Sequence, residues 1–197
     1  QVLNINKNDP DWPLLRTVKK AQNIEFSNVV TLEIEGLTGS VFEYEQDGKK
    51  VMPFLSELAS NGVYFHNTMQ SFNATAGSVF STVTGFHKIS FDEKTKRFTT
   101  AELNAYYGSL PHILGNENYK HYYFGGFRQS SLDFLRFMGN QGYQPYGYEN
   151  LSQRLDERGL LDKADSTLGL FDKEFLKESA MILNTAETNY TAHLMTA

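Results

Sequence analysis

Short β-rich apolar runs alternate with stretches of helical spacing along this chain, and that alternation constrains the fold more than any other feature. Asn28-Val29-Val30-Thr31-Leu32-Glu33-Ile34 is short and mostly apolar, and reads as a buried strand of a parallel sheet. Glu35-Gly36-Leu37-Thr38-Gly39 ends it in a glycine-flanked loop, and Gln46-Asp47-Gly48 is a turn signal. Pro53 opens a helix with apolar positions at Phe54, Leu55, Leu58 and Ala59, closed by Asn61-Gly62. A second strand is predicted over Val63-Tyr64-Phe65-His66-Asn67, then a small-residue loop from Ser71 to Thr75, then a helix from Ser78 to Thr84 closed by Gly85. Residues 86–108 are polar and show no core stripe. A helix over Leu110 to Leu114, a strand over His121 to Phe124 and a helix over Ser131 to Met138 follow. The Gly/Tyr/Gln-rich stretch from Gly139 to Tyr148 reads as a surface loop. Phe171 to Asn184 have helical spacing, and Asn189 to Thr196 form a last strand. Strands alternating with helices predict an α/β domain with a mostly parallel sheet flanked by helices.

The chain can fill such a core, because it carries 15 Phe and 11 Tyr. Its net charge of −5 and the lack of a Lys/Arg stripe argue against nucleic acid as a partner. With no cysteine, disulfides, zinc thiolates and thiol nucleophiles are excluded. No apolar run approaches a membrane span. Residues 1–23 read as an extended lead-in, with Asp9-Pro10-Asp11-Trp12-Pro13 inside it. The polar opening does not read as a signal peptide, and Gln1 in the usual place of Met suggests a processed or trimmed piece of a longer protein. No phosphate-binding loop and no G-x-S-x-G elbow occur, and the five histidines have no i, i+4 pairing.

Two residues stand where chemistry could occur. Glu35 lies at the carboxyl end of the first strand, where ligands of open α/β sheets bind, and its carboxylate suits a divalent cation. A solvated loop glutamate is the commoner use of such a position. Glu33 shares its face by the period-two rule, as part of a common polar environment or as a hydrogen-bonded buried acid. Thr75, in Asn73-Ala74-Thr75-Ala76-Gly77-Ser78, lies at a helix amino terminus, where an anion is favoured and a metal ion could activate a hydroxyl. An N-cap threonine is the commoner use there.

The order of these blocks resembles the sulfatase and lipoteichoic-acid-synthase family of the alkaline-phosphatase superfamily. Asn28 to Glu35 resembles the family's opening strand, which ends in a metal-binding Glu. Met52-Pro53-Phe54-Leu55-Ser56-Glu57-Leu58-Ala59-Ser60-Asn61-Gly62-Val63-Tyr64-Phe65-His66-Asn67 resembles its T-P-F-L-x-x-L-A-x-x-G-x-x-F-x-N block. Ala74 to Gly85 resembles the nucleophile segment, with Thr75 ten residues before the closing glycine. Leu110-Pro111-His112-Ile113-Leu114 and Tyr122-Tyr123-Phe124-Gly125-Gly126 resemble the L-P-x-L-L helix and F-x-G-G strand end. The resemblance covers residues 24–197, as the amino-terminal part of a catalytic domain, and implies an alkaline-phosphatase-like sheet left incomplete at its C-terminal side.

The resemblance further implies Glu35 and Thr75 as metal ligands and Thr75 as the nucleophile of a metal-dependent phosphoglycerol or phosphoethanolamine transferase or phosphodiester hydrolase. The divalent metal would be Mn, Mg, Zn or Ca, and the substrate a phospho- or sulfo-ester, lipid or glycan linked. It implies an extracytoplasmic site on a membrane-anchored parent. A sulfatase is the alternative within enzymes, although sulfatases mature a Cys or Ser where Thr75 stands. A non-catalytic binding module on the same fold is the alternative outside them. The family's Asp-His metal pair lies downstream of the positions that this chain matches, so weak or no metal binding and no catalysis are expected of this piece alone. Its expected partner is the missing C-terminal half, or a second copy at the exposed sheet edge. Gly36 stands where the family often has Ser, Phe124 where lipoteichoic acid synthases have a phosphate-binding His, and Arg128 and Arg136 are the nearby substrate-binding candidates.

Overall fold

The computed structural model describes residues 28–65, 68, 74–86, 98–115, 119–128 and 131–197. The lead-in expected over residues 1–23, with His66 and His87, lies outside them. β1 (Val29–Glu33) is followed by a short helix, α1 (Gly39–Glu43), and by a hairpin of β2 (Glu45–Gln46) and β3 (Lys49–Lys50). Asp47 and Gly48 turn that hairpin with φ of 52° and 70°, the paired left-handed geometry that matches strand twist. Then come α2 (Pro53–Ser60), α3 (Thr75–Thr84), α4 (Thr100–Asn104), α5 (Leu110–Leu114), β4 (Tyr119–Gly125) and α6 (Ser131–Asn140). β5 (Gln144–Tyr146), α7 (Tyr148–Asp156), a 3-10 turn (Leu161–Lys163), α8 (Asp172–Leu183) and β6 (Asn189–Met195) complete the chain.

The main sheet runs β1-β6-β4-β5 with every pairing parallel, so the last strand lies between the first strand and β4. Side chains alternate between its faces. On one face, Tyr123 and Met195 pack with Val79, Phe80 and Val83 of α3 and with Phe134, Phe137 and Met138 of α6. On the other, Tyr122, Phe124, Ala192 and Leu194 pack with Leu151 and Leu155 of α7 and with Phe175, Ile182 and Leu183 of α8. Each fully buried large side chain contributes roughly 1.5–3 kcal/mol to this assembly. Between α7 and α8, the buried Glu178 accepts from Arg154 Nε at 2.6 Å and also pairs with Arg158. The mostly parallel α/β sheet with flanking helices is as the sequence leads one to expect.

Four local expectations differ from the structure. β1 is an edge strand rather than a buried one: Val30 and Leu32 are 55% and 43% exposed, because the α7–α8 layer packs over β4 and β6. Of the strand expected over Val63 to Asn67, the described residues Val63 to Phe65 form no strand, with Val63 and Phe65 exposed and Tyr64 stacked on Phe42, while His66 and Asn67 lie outside the described residues. The stretch from Gly139 to Tyr148 contains β5 and sends Gln141, Tyr143 and Gly147 into the interior. Its fully buried Gln141 accepts from the N–H of Tyr107 at 2.9 Å and donates to the carbonyl of Ala105 at 2.8 Å, supplying bonds the sheet does not. Within residues 86–108, Thr99 and Glu102 form a reciprocal capping box on α4, and Phe98 and Leu103 enter the core.

Candidate active site

The carboxyl ends of β1 and β6 hold the first half of the site. The N–H of Thr196 donates to the Glu33 carbonyl at 3.1 Å, and the N–H of Glu35 donates to Thr196 Oγ1 at 3.1 Å. These two bonds continue the β1–β6 ladder past the last paired residues and fix the backbone that carries Glu35. Gly36 then turns the chain away with φ of 70°, a left-handed conformation that favours glycine.

The second half is the start of α3. Ala74 has extended dihedrals, and its carbonyl accepts the N–H groups of Gly77 and Ser78, so Ala74 is the N-cap residue. The helix therefore begins three residues before the Ser78 that the sequence suggests. Thr75 is its first helical residue, and its side chain caps nothing. Its hydroxyl instead donates to Glu35 Oε2 at 3.2 Å, across forty residues of sequence. Behind Thr75 the helix is anchored by Ala76, Gly77, Val79, Phe80 and Val83, all buried. Tertiary packing of that face holds a segment whose β-branched residues give it little intrinsic helix preference.

Thr75 and Glu35 line two adjoining hollows. The larger, about 530 Å³, also has Glu33, Thr38, Ser78 and Met195 in its wall. The smaller, about 250 Å³, is more apolar, with Phe127, Phe134 and Leu168 beside the same pair. The amino-terminal end of α3 presents partial positive charge there, which favours a bound anion, while the two carboxylates favour a cation. A phosphate or sulfate ester carried together with a divalent ion satisfies both. The donors are all oxygen, a carboxylate and a hydroxyl, which suits a hard divalent ion. Two donors fill part of such an ion's coordination sphere. Among the described residues no cluster of three or more His, Cys, Asp or Glu stands close enough to hold a metal.

The other candidates lie apart from this pair. Arg128 pairs with Asp165, donates from Nε to the Ser166 carbonyl at 3.1 Å and stacks over Tyr148 at 4.5 Å. Arg136 donates to Asn104 on α4. Neither arginine lines either hollow. Phe124 is fully buried and stacked on Tyr146, with centroids 5.3 Å apart, on the sheet face opposite Thr75. His121 is an interior residue, held by Thr191 Oγ1 at 2.8 Å and the Gly115 carbonyl at 3.1 Å, and burial lowers its pKa. Thr38, Ser78, Met195 and Thr196 are wall residues that sequence reasoning missed, since no spacing links them to Glu35. The period-two reading of Glu33 did point to its place beside Glu35.

A model of the sulfatase family matches residues 27–197. Lipoteichoic acid synthase 1 of Bacillus subtilis (strain 168) is 27% identical over 187 residues, covering 86% of this chain and 26% of its own length. Lipoteichoic acid synthase 2 of the same organism is 25% identical over 167 residues, covering 82% of this chain and 24% of its own. The chain thus spans about a quarter of the length of these relatives.

Proposed function

The chain belongs to the sulfatase family, and from that membership we propose that it supplies the amino-terminal part of a metal-dependent phosphoglycerol or phosphoethanolamine transferase, or phosphodiester hydrolase, with Thr75 as the nucleophile. The observation that carries this reading is the 3.2 Å hydrogen bond from Thr75 to Glu35 at the amino terminus of α3. Similarity to two lipoteichoic acid synthases favours a phosphorus centre, and a threonine cannot mature as the Cys or Ser of a sulfatase does.

In this mechanism Glu35 and Thr75 would contribute two of the oxygen ligands of a divalent ion, and other residues of the intact protein would complete the set. A bound divalent ion supplies a lowered hydroxyl pKa and charge neutralisation at the ester. Glu35 orients the Thr75 hydroxyl through its hydrogen bond, and the first turn of α3 attracts the anionic group. As Thr75 Oγ1 bonds to phosphorus, the bond from phosphorus to the leaving oxygen breaks, and the proton lost from Thr75 ends on that oxygen, which departs as the alcohol. Water or an acceptor alcohol then takes the group from Thr75.

The half-covered β1 edge, with Val30 and Leu32 exposed, favours a further segment of the parent protein, or a second copy, as its partner. A lipid- or glycan-linked phosphoester as substrate, and an extracytoplasmic setting on a membrane-anchored parent, are part of the same proposal, which the similarity to two lipoteichoic acid synthases supports. Among the described residues no helix is long and apolar enough to cross a membrane. In the intact protein that contains this chain, Thr75→Ala is expected to lose turnover of a phosphodiester by about a thousandfold or more, with an unchanged melting curve. Full turnover in that variant would overturn the assignment. A sulfatase would instead turn over an aryl sulfate in preference to the phosphodiester, and a binding module would be folded, metal-free and inactive.

A further inference from the structure

Beneath the larger hollow lies a polar group of three that the Thr75–Glu35 pair does not use. Parallel register sets Thr31, His193 and Tyr123 in one row across β1, β6 and β4, and Glu33, Met195 and Gly125 in the next row toward the carboxyl ends. The Tyr123 side chain is fully buried and leans forward over Gly125. A Cβ at position 125 would stand 3.0 Å from the Tyr123 hydroxyl, so glycine makes room for the ring to lie along the sheet. Burial pushes the phenol pKa far up, and the charge of Glu33 adds to the effect, so the phenol keeps its proton. The His193 side chain is 3% exposed, and its Nε2 lies 3.6 Å from Glu33 Oε2.

Among the described residues, neither the Tyr123 hydroxyl nor His193 Nε2 has a hydrogen-bond partner. A buried polar atom left unpaired costs roughly 1–3 kcal/mol, so two together at one place require a reason. His193 Nε2 faces the Glu33 carboxylate, whose charge also acts on the Tyr123 phenol one row back on the same sheet face, and that carboxylate lines the hollow with Glu35. A shift of a few tenths of an ångström in the Glu33 side chain would bring Nε2 within bonding distance. We infer that Glu33 is the second carboxylate of the cation-binding hollow, and that His193 and Tyr123 are positioning residues that hold it there. This rests on the metal-dependent reading of the site. A second anchored carboxylate raises affinity for a hard divalent ion, and buried partners keep it from swinging into solvent.

The test is Mn²⁺ binding to the intact protein that contains this chain, followed by the loss of the free-ion electron paramagnetic resonance signal, with a thermal melt of each variant. Glu33→Gln is expected to weaken binding about 10–100-fold. Tyr123→Phe, which keeps the ring and its packing, and His193→Gln are expected to weaken it less, and to add nothing on top of Glu33→Gln. Unchanged affinity in Glu33→Gln would overturn the inference, and unchanged affinity in Tyr123→Phe or additive losses would overturn the positioning role. If Glu35→Gln alone abolishes binding, the cation reading of the hollow stands without Glu33. If the unaltered protein binds no Mn²⁺, both fall.

Discussion

The two sides of the main sheet's first pairing are treated differently by the rest of the chain. β6, with β4 beyond it, is covered on both faces, by α3 and α6 on one and by α7 and α8 on the other. β1, paired with β6 along its whole length, keeps Val30 and Leu32 in solvent, and α2, which packs against α1 and β3, buries no residue. Phe54, Leu58, Val63 and Phe65 are exposed as well. The β4–β6 region is thus a core covered on both faces, while β1 and α2 carry apolar side chains that the described residues leave open. Glu35 and Thr75 sit where the two meet, one carried by the bare strand and one by a helix rooted in the core. The Thr75–Glu35 hydrogen bond therefore joins a helix packed into the core to the end of an edge strand.

Stability measurements can break this contrast. Phe137 is fully buried between α3, α6 and the sheet, so Phe137→Ala is expected to cost about 3–5 kcal/mol in urea unfolding. Phe54→Ala on α2 is expected to stay within about 0.5 kcal/mol in the isolated chain. A large loss at Phe54 would mean that α2 is already packed. Gln141→Ala leaves the Tyr107 N–H and the Ala105 carbonyl without their side-chain partner, and is expected to cost about 2 kcal/mol in the same assay.

His121 sharpens the contrast through pH. Its folded-state pKa is lowered by burial, so the unfolded chain takes a proton first as pH falls. Its contribution is complete above the unfolded value, about 6.5, and is lost as pH falls toward the lower folded value. Unfolding free energy measured across that window should decline toward acid, and His121→Gln should flatten the decline. At the periphery, the exposed Lys50–Glu45 pair, 3.6 Å apart, should matter least. Lys50→Ala is expected to shift stability by less than about 0.5 kcal/mol, again by urea unfolding.

The same contrast explains what could be read from the sequence. Helices α2, α5, α6 and α8 follow from Pro and Gly punctuation and apolar spacing, and β1, β4 and β6 from short β-rich runs. β5 was hidden because it is only three residues long and is defined by its parallel pairing with β4, which no periodicity encodes. The α4 helix was hidden because its signal is the Thr99–Glu102 box rather than an apolar stripe, and α7 because two buried leucines, Leu151 and Leu155, carry its inner face. The run from Val63 to Phe65 reads as a strand by composition, yet composition cannot supply a neighbouring strand. Glu35 and Thr75 were singled out by their places at a strand end and a helix start and by the family resemblance of the blocks around them, and the structure brings them to hydrogen-bonding distance. The orientations of Arg128 and Phe124 were not, since each is fixed by partners distant in sequence: Asp165 for one, Tyr146 and the α7–α8 layer for the other.

The central claim is that Thr75 forms a bond to the transferred group. Mass spectrometry of the intact protein, quenched during turnover of a phosphodiester and digested, tests it most directly. The account predicts that the added group is found on the peptide carrying Thr75 and is absent in Thr75→Ala. Continued turnover with the adduct on another residue would contradict it.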